Sequence, residues 1–362
     1  MAIYFVLFGL LFLATVFLDS DDGGDNPVLI ANKYYFLLVF FILLALVVGV
    51  RLEIGADWFS YKYYYDMMER FSFLDIFTLK DPGYQLINFT SHSLGLGMMG
   101  VNLTCGVIFA YALVKFSTKQ NDVFLSLLVA FPYLFIVVGM GYARQAVAIA
   151  FLMLAITQLY EEKIIGYVVL LVIGAFFHKT AIVMVPIAFL ITERNRNQKI
   201  FFGGLFSVIV IYQFFSSSID TLMYSYVESD RYNSQGAFIR VIMSFLPGVL
   251  FLMFRNRFNF SPIIYQLVLL LSCASVLLFV LLLAFSSMST IIDRFALYII
   301  PLQMLVLSNL QGLFTRWNKF TVHLLVCGYL FAVMFVWLNF ASHANAWVPY
   351  KAYNVLQLGY DQ

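Results

Sequence analysis

Guanidinium and carboxylate groups come together in the stretch from Gly49 to Tyr65, G-V-R-L-E-I-G-A-D-W-F-S-Y-K-Y-Y-Y, which carries Arg51, Glu53 and Asp57. A guanidinium there suits phosphate oxygens, and Asp57 can take a proton from a hydroxyl. Gly55 permits a bend before Asp57, while Trp58, Phe59 and Tyr61 to Tyr65 can stack on sugar rings or sit among lipid headgroups. The plainest reading of the same residues is an aromatic belt with flanking charges. His178, in Ala175-Phe176-Phe177-His178-Lys179-Thr180, has apolar residues on both sides. An imidazole so placed acts as a base, donates to phosphate or makes a buried structural hydrogen bond.

The elements that must position these groups follow from composition. Of 362 residues, 63% are hydrophobic and 11% charged, where a soluble domain has about a quarter charged. Apolar runs recur to the C-terminus without strand-like alternation, so the chain reads as all-α and polytopic, since only helices or closed barrels satisfy the backbone in lipid. A net charge of +2 argues against a nucleic-acid partner. Cys105, Cys273 and Cys327 lie inside apolar runs, which predicts neither disulfides nor a zinc site. The first run, Ala2 to Leu18, lacks a basic n-region and a cleavage site and reads as a retained helix.

Further spans are expected at 34–50, 94–114, 123–138, 142–160, 200–215, 239–254, 263–285, 295–313 and 320–340. The run 164–191 places His178-Lys179 at mid-membrane, a costly arrangement that two short helices meeting at an aqueous pocket would avoid. Gly139-Met140-Gly141 likewise sets Arg144 at a helix start. That makes roughly twelve crossings, including short paired helices, in a single integral membrane domain over 1–362. Asp81-Pro82-Gly83 is a turn signal, and 84–89 is expected to form a helix along the interface. Short basic loops favour the cytoplasm, and those at Lys115/Lys119, Arg194/Arg196/Lys199, Arg255/Arg257 and Arg316/Lys319 then share one side. Both termini, the sections 51–92 and 216–238, and the turns at Arg144, His178 and 286–294 fall on the other.

This topology gathers Arg51, Arg144, Arg240 and Arg294 at the outer helix ends, where the charge bias predicts few cations. A polyprenyl diphosphate headgroup fits such a set, because bidentate guanidinium contacts neutralise charge building on a departing diphosphate. Snorkelling to lipid headgroups is the competing reading for each one alone. Asp57 has an ion pair with Arg51 as its alternative, and Asp293 one with Arg294. Tyr224, Tyr226, Asp230, Arg231 and Tyr232 resemble a sugar-contacting loop or a solvated one. Gly95-Leu96-Gly97-Met98-Met99-Gly100 has no βαβ context and reads as close helix packing. The two N-x-T sequons, at Asn88 and Asn102, carry no weight. No P-loop, H-E-x-x-H or serine elbow occurs, so no cofactor or metal is demanded.

Taken together, Arg51-x-x-x-Gly55-x-Asp57-x-x-x-Tyr61, Asp81-Pro82-Gly83-Tyr84-x-x-Ile87-Asn88, Arg144-Gln145, Phe177-His178-Lys179-Thr180-Ala181 and Asp293-Arg294-Phe295-x-x-Tyr298 resemble the Wzy/EpsG-type polymerases of bacterial O-antigen and exopolysaccharide. Departures are Ala56 where Thr is usual, Trp58 where Tyr is usual, and an acidic first inner loop. The resemblance implies a GT-C-like membrane glycosyltransferase of the bacterial inner membrane with its site facing the periplasm. Such an enzyme moves a glycan chain from undecaprenyl diphosphate onto another lipid-linked repeat unit. Carried to this chain, Arg51, Arg144 and Arg294, with Arg240 beside them, would hold diphosphate, and Asp57 or His178 would assist the acceptor hydroxyl. Trp58, Tyr61, Tyr84, Tyr224 and Arg231 would contact glycan. The implied partners are the lipid-linked oligosaccharide and the bilayer, with a chain-length regulator and a flippase as candidates. A lipid-linked oligosaccharide flippase and a polysaccharide acyltransferase are the rival functions.

Overall fold

The second and fifth helices, α2 (Pro27–Gly49) and α5 (Gly97–Ser117), touch backbone to backbone. A Cβ on Gly49 would meet Leu103 Cα at 2.9 Å, and one on Gly106 the Ala45 carbonyl at 2.9 Å. Small residues at such crossings let two apolar helices approach closely where no hydrophobic force drives them together. The computed structural model describes residues 1–18, 27–191, 205, 236–285, 289–313 and 318–353. Among these the regular structure is helical, apart from one isolated bridge between Arg51 and Ala352.

In chain order the other helices are α1 (Ala2–Phe17), α3 (Trp58–Asp66), α4 (Pro82–Ser93), α6 (Val123–Ala130), α7 (Ala143–Leu159), α8 (Ile164–Phe177), α9 (Ile187–Leu190), α10 (Ala237–Phe254), α11 (Pro262–Ala284), α12 (Ser289–Ile299), α13 (Pro301–Leu307) and α14 (Lys319–Phe340). By length and composition five described helices can cross a bilayer, and six if α12 and α13, bent by 45°, count as one. Residues 2–17, 123–139, 143–159, 164–177 and 179–190 form shorter apolar helices. The stretch 123–159 is apolar on every face because nearly all of it is buried in protein. The chain is a helical membrane protein.

By packing, the chain divides into one unit of 1–151, 176–178 and 316–362 and another of 152–175 and 179–315. In the first unit α5 packs on α2, α4 and α6, and α6 packs in turn on α1 and α14. Asp122 caps α6, accepting from Leu125 N–H at 2.8 Å, and also meets His323 at 2.6 Å. Lys33 lies 5.7 Å from the Phe124 ring. The starts of α2 and α14 and the loop after Lys115 therefore share one end of this unit. At the opposite end, Tyr4 near the start of α1 donates to the Trp347 carbonyl at 2.9 Å, and Val50 accepts from Tyr353 N–H at 2.8 Å. The ends of this unit match the alternation of its basic and aromatic loops. In the second unit α10 packs on α11, α12 and α13.

Some expected boundaries hold and others move. The fourth span continues past Ala130 in a wide π-helical turn, Phe131–Gly139, opened by Pro132, which has no N–H to donate to a regular ladder. The run 164–191 does break at His178, between α8 and a 3₁₀ helix, Lys179–Met184. The expected turn at 286–294 is helical from Ser289, so Asp293 and Arg294 lie inside α12 and not before it. Asp81-Pro82-Gly83 is the start of a helix, with Asp81 at the N-cap and Pro82 in the first turn. Gly95 and Gly97 have φ of +65° and +63° and serve a turn; within that glycine motif close packing applies to Gly100, which abuts Ser91 and Leu96. The expected span 200–215 and the loop 216–235 lie outside the described residues, apart from Leu205.

Candidate functional site

The loop after α2 is shaped by Gly55. Its φ is +102°, and a Cβ there would meet the Met140 carbonyl oxygen at 2.7 Å and Gly141 Cα at 2.8 Å. Only glycine permits both the left-handed backbone and that contact. Its N–H donates to Ala346 at 2.8 Å, which ties the loop to the segment following α14.

That segment straps the loop down. Leu52 N–H donates to the Lys351 carbonyl at 2.9 Å and Lys351 pairs with Glu53 at 2.9 Å. Tyr350 donates its hydroxyl to Val47 at 2.8 Å and Trp347 its indole N–H to Ile136 at 2.8 Å. Trp347 also packs against Gly141, where a Cβ would collide with its ring. Sequence reasoning missed this strap. The cluster of aromatics in Ala346-Trp347-Val348-Pro349-Tyr350-Lys351-Ala352-Tyr353 was the signal available.

Beneath the strap Arg51 is only 1% exposed. Its Nη1 donates to the Val48 carbonyl at 2.6 Å, and among the described residues it has no carboxylate partner. The expected alternative of an Arg51–Asp57 ion pair is therefore not formed. Burial presses the Arg51 pKa below its ordinary value, with Cys105, Tyr84, Tyr61 and Tyr350 close enough to act on the charge. Among the described residues, Arg51 Nε, Tyr84 Oη, Asn88 Oδ1 and Asn102 Nδ2 are buried without a protein hydrogen bond. Asn88 follows Tyr84 by one turn of α4, and Asn102 precedes Cys105 by one turn of α5. Leaving such an atom unmatched costs about 1–3 kcal/mol.

Arg144 opens α7 on the other side of this polar cluster. Its Nη1 lies 2.7 Å from Asp81 Oδ2, and its guanidinium stands 5.1 Å from the Tyr64 ring centre and 5.7 Å from that of Tyr61. Burial raises the Tyr61 pKa, and the Asp57 charge raises it further against the opposing pull of Arg144, so the phenol is neutral at pH 7. The Arg144 side chain is 19% exposed and that of Asp81 3%. Asp57 is half-buried at the N-cap of α3, its carbonyl accepting from Tyr61 N–H at 3.0 Å.

Trp58, Tyr61 and Tyr84 are buried, Trp58 against Tyr353 at 6.3 Å and Tyr61 against Tyr84 at 5.4 Å between ring centres. Half-buried His178 ends α8 after Phe177, which stacks on Phe151 at 5.5 Å. A Cβ on Gly83 would meet Phe176 and Phe177 at 3.1 Å, so this turn abuts the start of α4 two residues from Asp81. One unit thus brings together Arg51, Asp57, Trp58, Tyr61, Tyr84, Arg144 and His178.

Arg240 and Arg294 belong to the second unit. Arg240 pairs with Asp293 at 2.7 Å, which corrects the expectation that Asp293 pairs with its neighbour Arg294. Successive residues on a helix point about 100° apart, and the inward-facing Asp293 meets an arginine from α10 while Arg294 is exposed. Tyr224 and Arg231 lie outside the described residues. Asp81 went unrecognised as a site residue because its Pro-Gly sequel marks a turn, and Asn102 because it sits in a glycosylation-like triplet. A lone amide inside an apolar run was the missed signal.

The first unit holds the resemblance segments at Arg51–Tyr61, Asp81–Asn88 and Arg144-Gln145 together with Phe177-His178, and the second holds Asp293–Tyr298; a family model matches the chain over residues 34–352. The chain belongs to the EpsG family. The match begins inside α2 and ends at Ala352, the strap residue bridged to Arg51, so it takes in the polar cluster, Arg144 and the strap that encloses them. No curated protein and no solved structure matches the chain.

Proposed function

We propose that this EpsG-family protein is a polysaccharide polymerase, a membrane glycosyltransferase that moves a glycan chain from undecaprenyl diphosphate onto a second lipid-linked repeat unit. The observation that carries the reading is Arg144: a partly exposed guanidinium paired with Asp81 and set over the Tyr61 ring at a helix N-terminus, with Asp57 one helical turn from Tyr61. A hydroxyl of the acceptor sugar attacks the anomeric carbon of the donor. The new C–O bond forms as the bond from that carbon to the diphosphate oxygen breaks. The hydroxyl proton passes to Asp57 or His178, and undecaprenyl diphosphate leaves with the electron pair. Arg144 neutralises the charge that builds on the departing oxygens, where a positioned cation contributes most. The buried Arg51 adds positive potential behind it. Trp58, Tyr61 and Tyr84 wall the site, and Tyr224 and Arg231 select sugars.

The same reading carries a GT-C-like arrangement of about twelve crossings in the bacterial inner membrane, with the site open to the periplasm. The separation of the Lys115 loop from the Arg51 loop at opposite ends of the first unit favours that orientation. A chain-length regulator and a flippase are the partners that such a polymerase would work beside.

The test is glycan analysis in a strain lacking the chain and complemented with variants. Loss of the protein should leave single-repeat glycan, and Arg144→Ala should reproduce that loss. Normal chain lengths with Arg144→Ala would overturn the placement. Absence of exported glycan in the deletion strain would point to a flippase, and full-length unacylated glycan to an acyltransferase.

A further inference from the structure

Between the 3₁₀ turn Met67–Arg70 and the start of α4, the chain reads Phe71-Ser72-Phe73-Leu74-Asp75-Ile76-Phe77-Thr78-Leu79-Lys80. Ile76 is fully buried and anchors this turn, yet Phe73, Leu74 and Phe77 face outward, Leu74 with 75% of its surface exposed. The arrangement is held from within. Phe73 contacts Phe77 edge-on at 5.6 Å and Phe89 of α4 at 6.1 Å. Asp75 accepts from the Ser72 N–H at 2.8 Å and the Ser72 hydroxyl at 2.7 Å, and its carbonyl accepts from Thr78 at 2.7 Å. Three large apolar side chains are thus presented on an ordered knuckle.

We propose that this knuckle, Phe73 to Phe77, is a wedge seated in the headgroup and upper acyl region of the bilayer, separate from the membrane-crossing helices. Its surface is continuous with that of a membrane span, since the knuckle packs on α4, α4 packs on α5, and Leu94 and Leu96 in the intervening turn are exposed as well. Exposed cations flank it, Arg70 before and Lys80 after, where they meet lipid phosphates. Asp75 limits the depth. Its hydrogen bonds to Ser72 hold its carboxyl below the ordinary range, so it stays ionised and keeps its edge of the knuckle in the headgroups. Lys80, the flanking cation after the wedge, adjoins Asp81, so seating the wedge fixes the height at which the Asp81–Arg144 pair stands above the membrane.

The experiment places a nitroxide on Leu74→Cys in the full chain with Cys273→Ser, Cys105 and Cys327 being buried. The chain is reconstituted in phosphatidylethanolamine and phosphatidylglycerol vesicles, and collision with oxygen is compared with collision with a water-soluble nickel chelate. A label on Glu69→Cys, at an exposed position before the wedge, gives the aqueous reference. The expected result is a shift at residue 74 toward oxygen and away from nickel relative to residue 69. Ready access of nickel to residue 74 would overturn the proposal by showing a solvated knuckle. Access to neither reagent would overturn it by showing that protein, such as a second copy of the chain, covers the site.

Discussion

Asp81 Oδ2 lies 2.7 Å from Arg144 Nη1 across 63 residues of sequence, and this pair joins the start of α4 to the start of α7. Asp81 takes a left-handed backbone with φ 56° to reach it, while its carbonyl accepts from the N–H groups of Tyr84 at 2.9 Å and Gln85 at 3.2 Å. One residue therefore begins a helix and orients the partly exposed guanidinium of Arg144.

Asp81→Asn tests that double duty. Asparagine tolerates the left-handed backbone, so α4 should form, but Arg144 loses its counter-charge. Breaking a buried pair costs about 3–5 kcal/mol, and the 19% exposure of Arg144 reduces this to roughly 2 kcal/mol. A lowered midpoint on thermal unfolding in detergent, together with shortened polymer, is expected. A full-length ladder would show that Arg144 is positioned without Asp81.

Gly55→Ala should destabilise the chain strongly, because the left-handed φ of +102° and the 2.7 Å approach to Met140 act together. A loss of more than about 1 kcal/mol is expected. Gly9→Ala, in α1 with open space around the new methyl, is the matched control. It should be neutral or gain about 0.5–1 kcal/mol. Chemical unfolding of both variants measures the contrast.

Tyr350 gives the strap an alkaline limit. Burial pushes its hydroxyl from the usual 10.0 up to about 12, against the nearby Arg51 charge. The unfolded chain releases that proton first, so the Tyr350 contribution is complete below pH 10 and falls as pH rises toward 12. Tyr350→Phe should remove this part of the fall and should lower stability at neutral pH by about 1 kcal/mol through the lost bond to Val47. Unfolding followed across that range reads both effects.

Asp293→Ala and Arg294→Ala should behave oppositely in stability. The first removes the buried carboxylate that faces Arg240, whose side chain is 14% exposed, and should cost on the order of 2 kcal/mol. The second removes an exposed side chain that has no ion pair among the described residues, and should leave the unfolding midpoint within about 0.5 kcal/mol of the parent. If Arg294→Ala keeps that midpoint yet loses polymer, Arg294 acts on substrate.

Much of the framework could be read from residue order. The His178-Lys179 break follows from the cost of charge in an apolar run, and the place of Gly55 from the need to turn before Asp57. The end-to-end placement of loops in the first unit follows from helix alternation. What stayed hidden was pairing across sequence distance. Nothing local says that Asp81 belongs to Arg144, that Asp293 faces Arg240 rather than Arg294, or that the segment after α14 returns to cover Arg51. Those partners are chosen by which helix faces pack together, and apolar periodicity in a membrane protein is nearly silent on that, because lipid-facing and protein-facing residues are equally hydrophobic.

The most direct test is polymerisation by the purified chain reconstituted with an undecaprenyl-diphosphate-linked repeat unit. Product length and released undecaprenyl diphosphate are measured for the parent and for Arg144→Ala at matched folded fraction. The account predicts a ladder of products with stoichiometric release for the parent and neither for the variant. Equal ladders from both, or a folded parent that consumes no lipid-linked repeat, would contradict it.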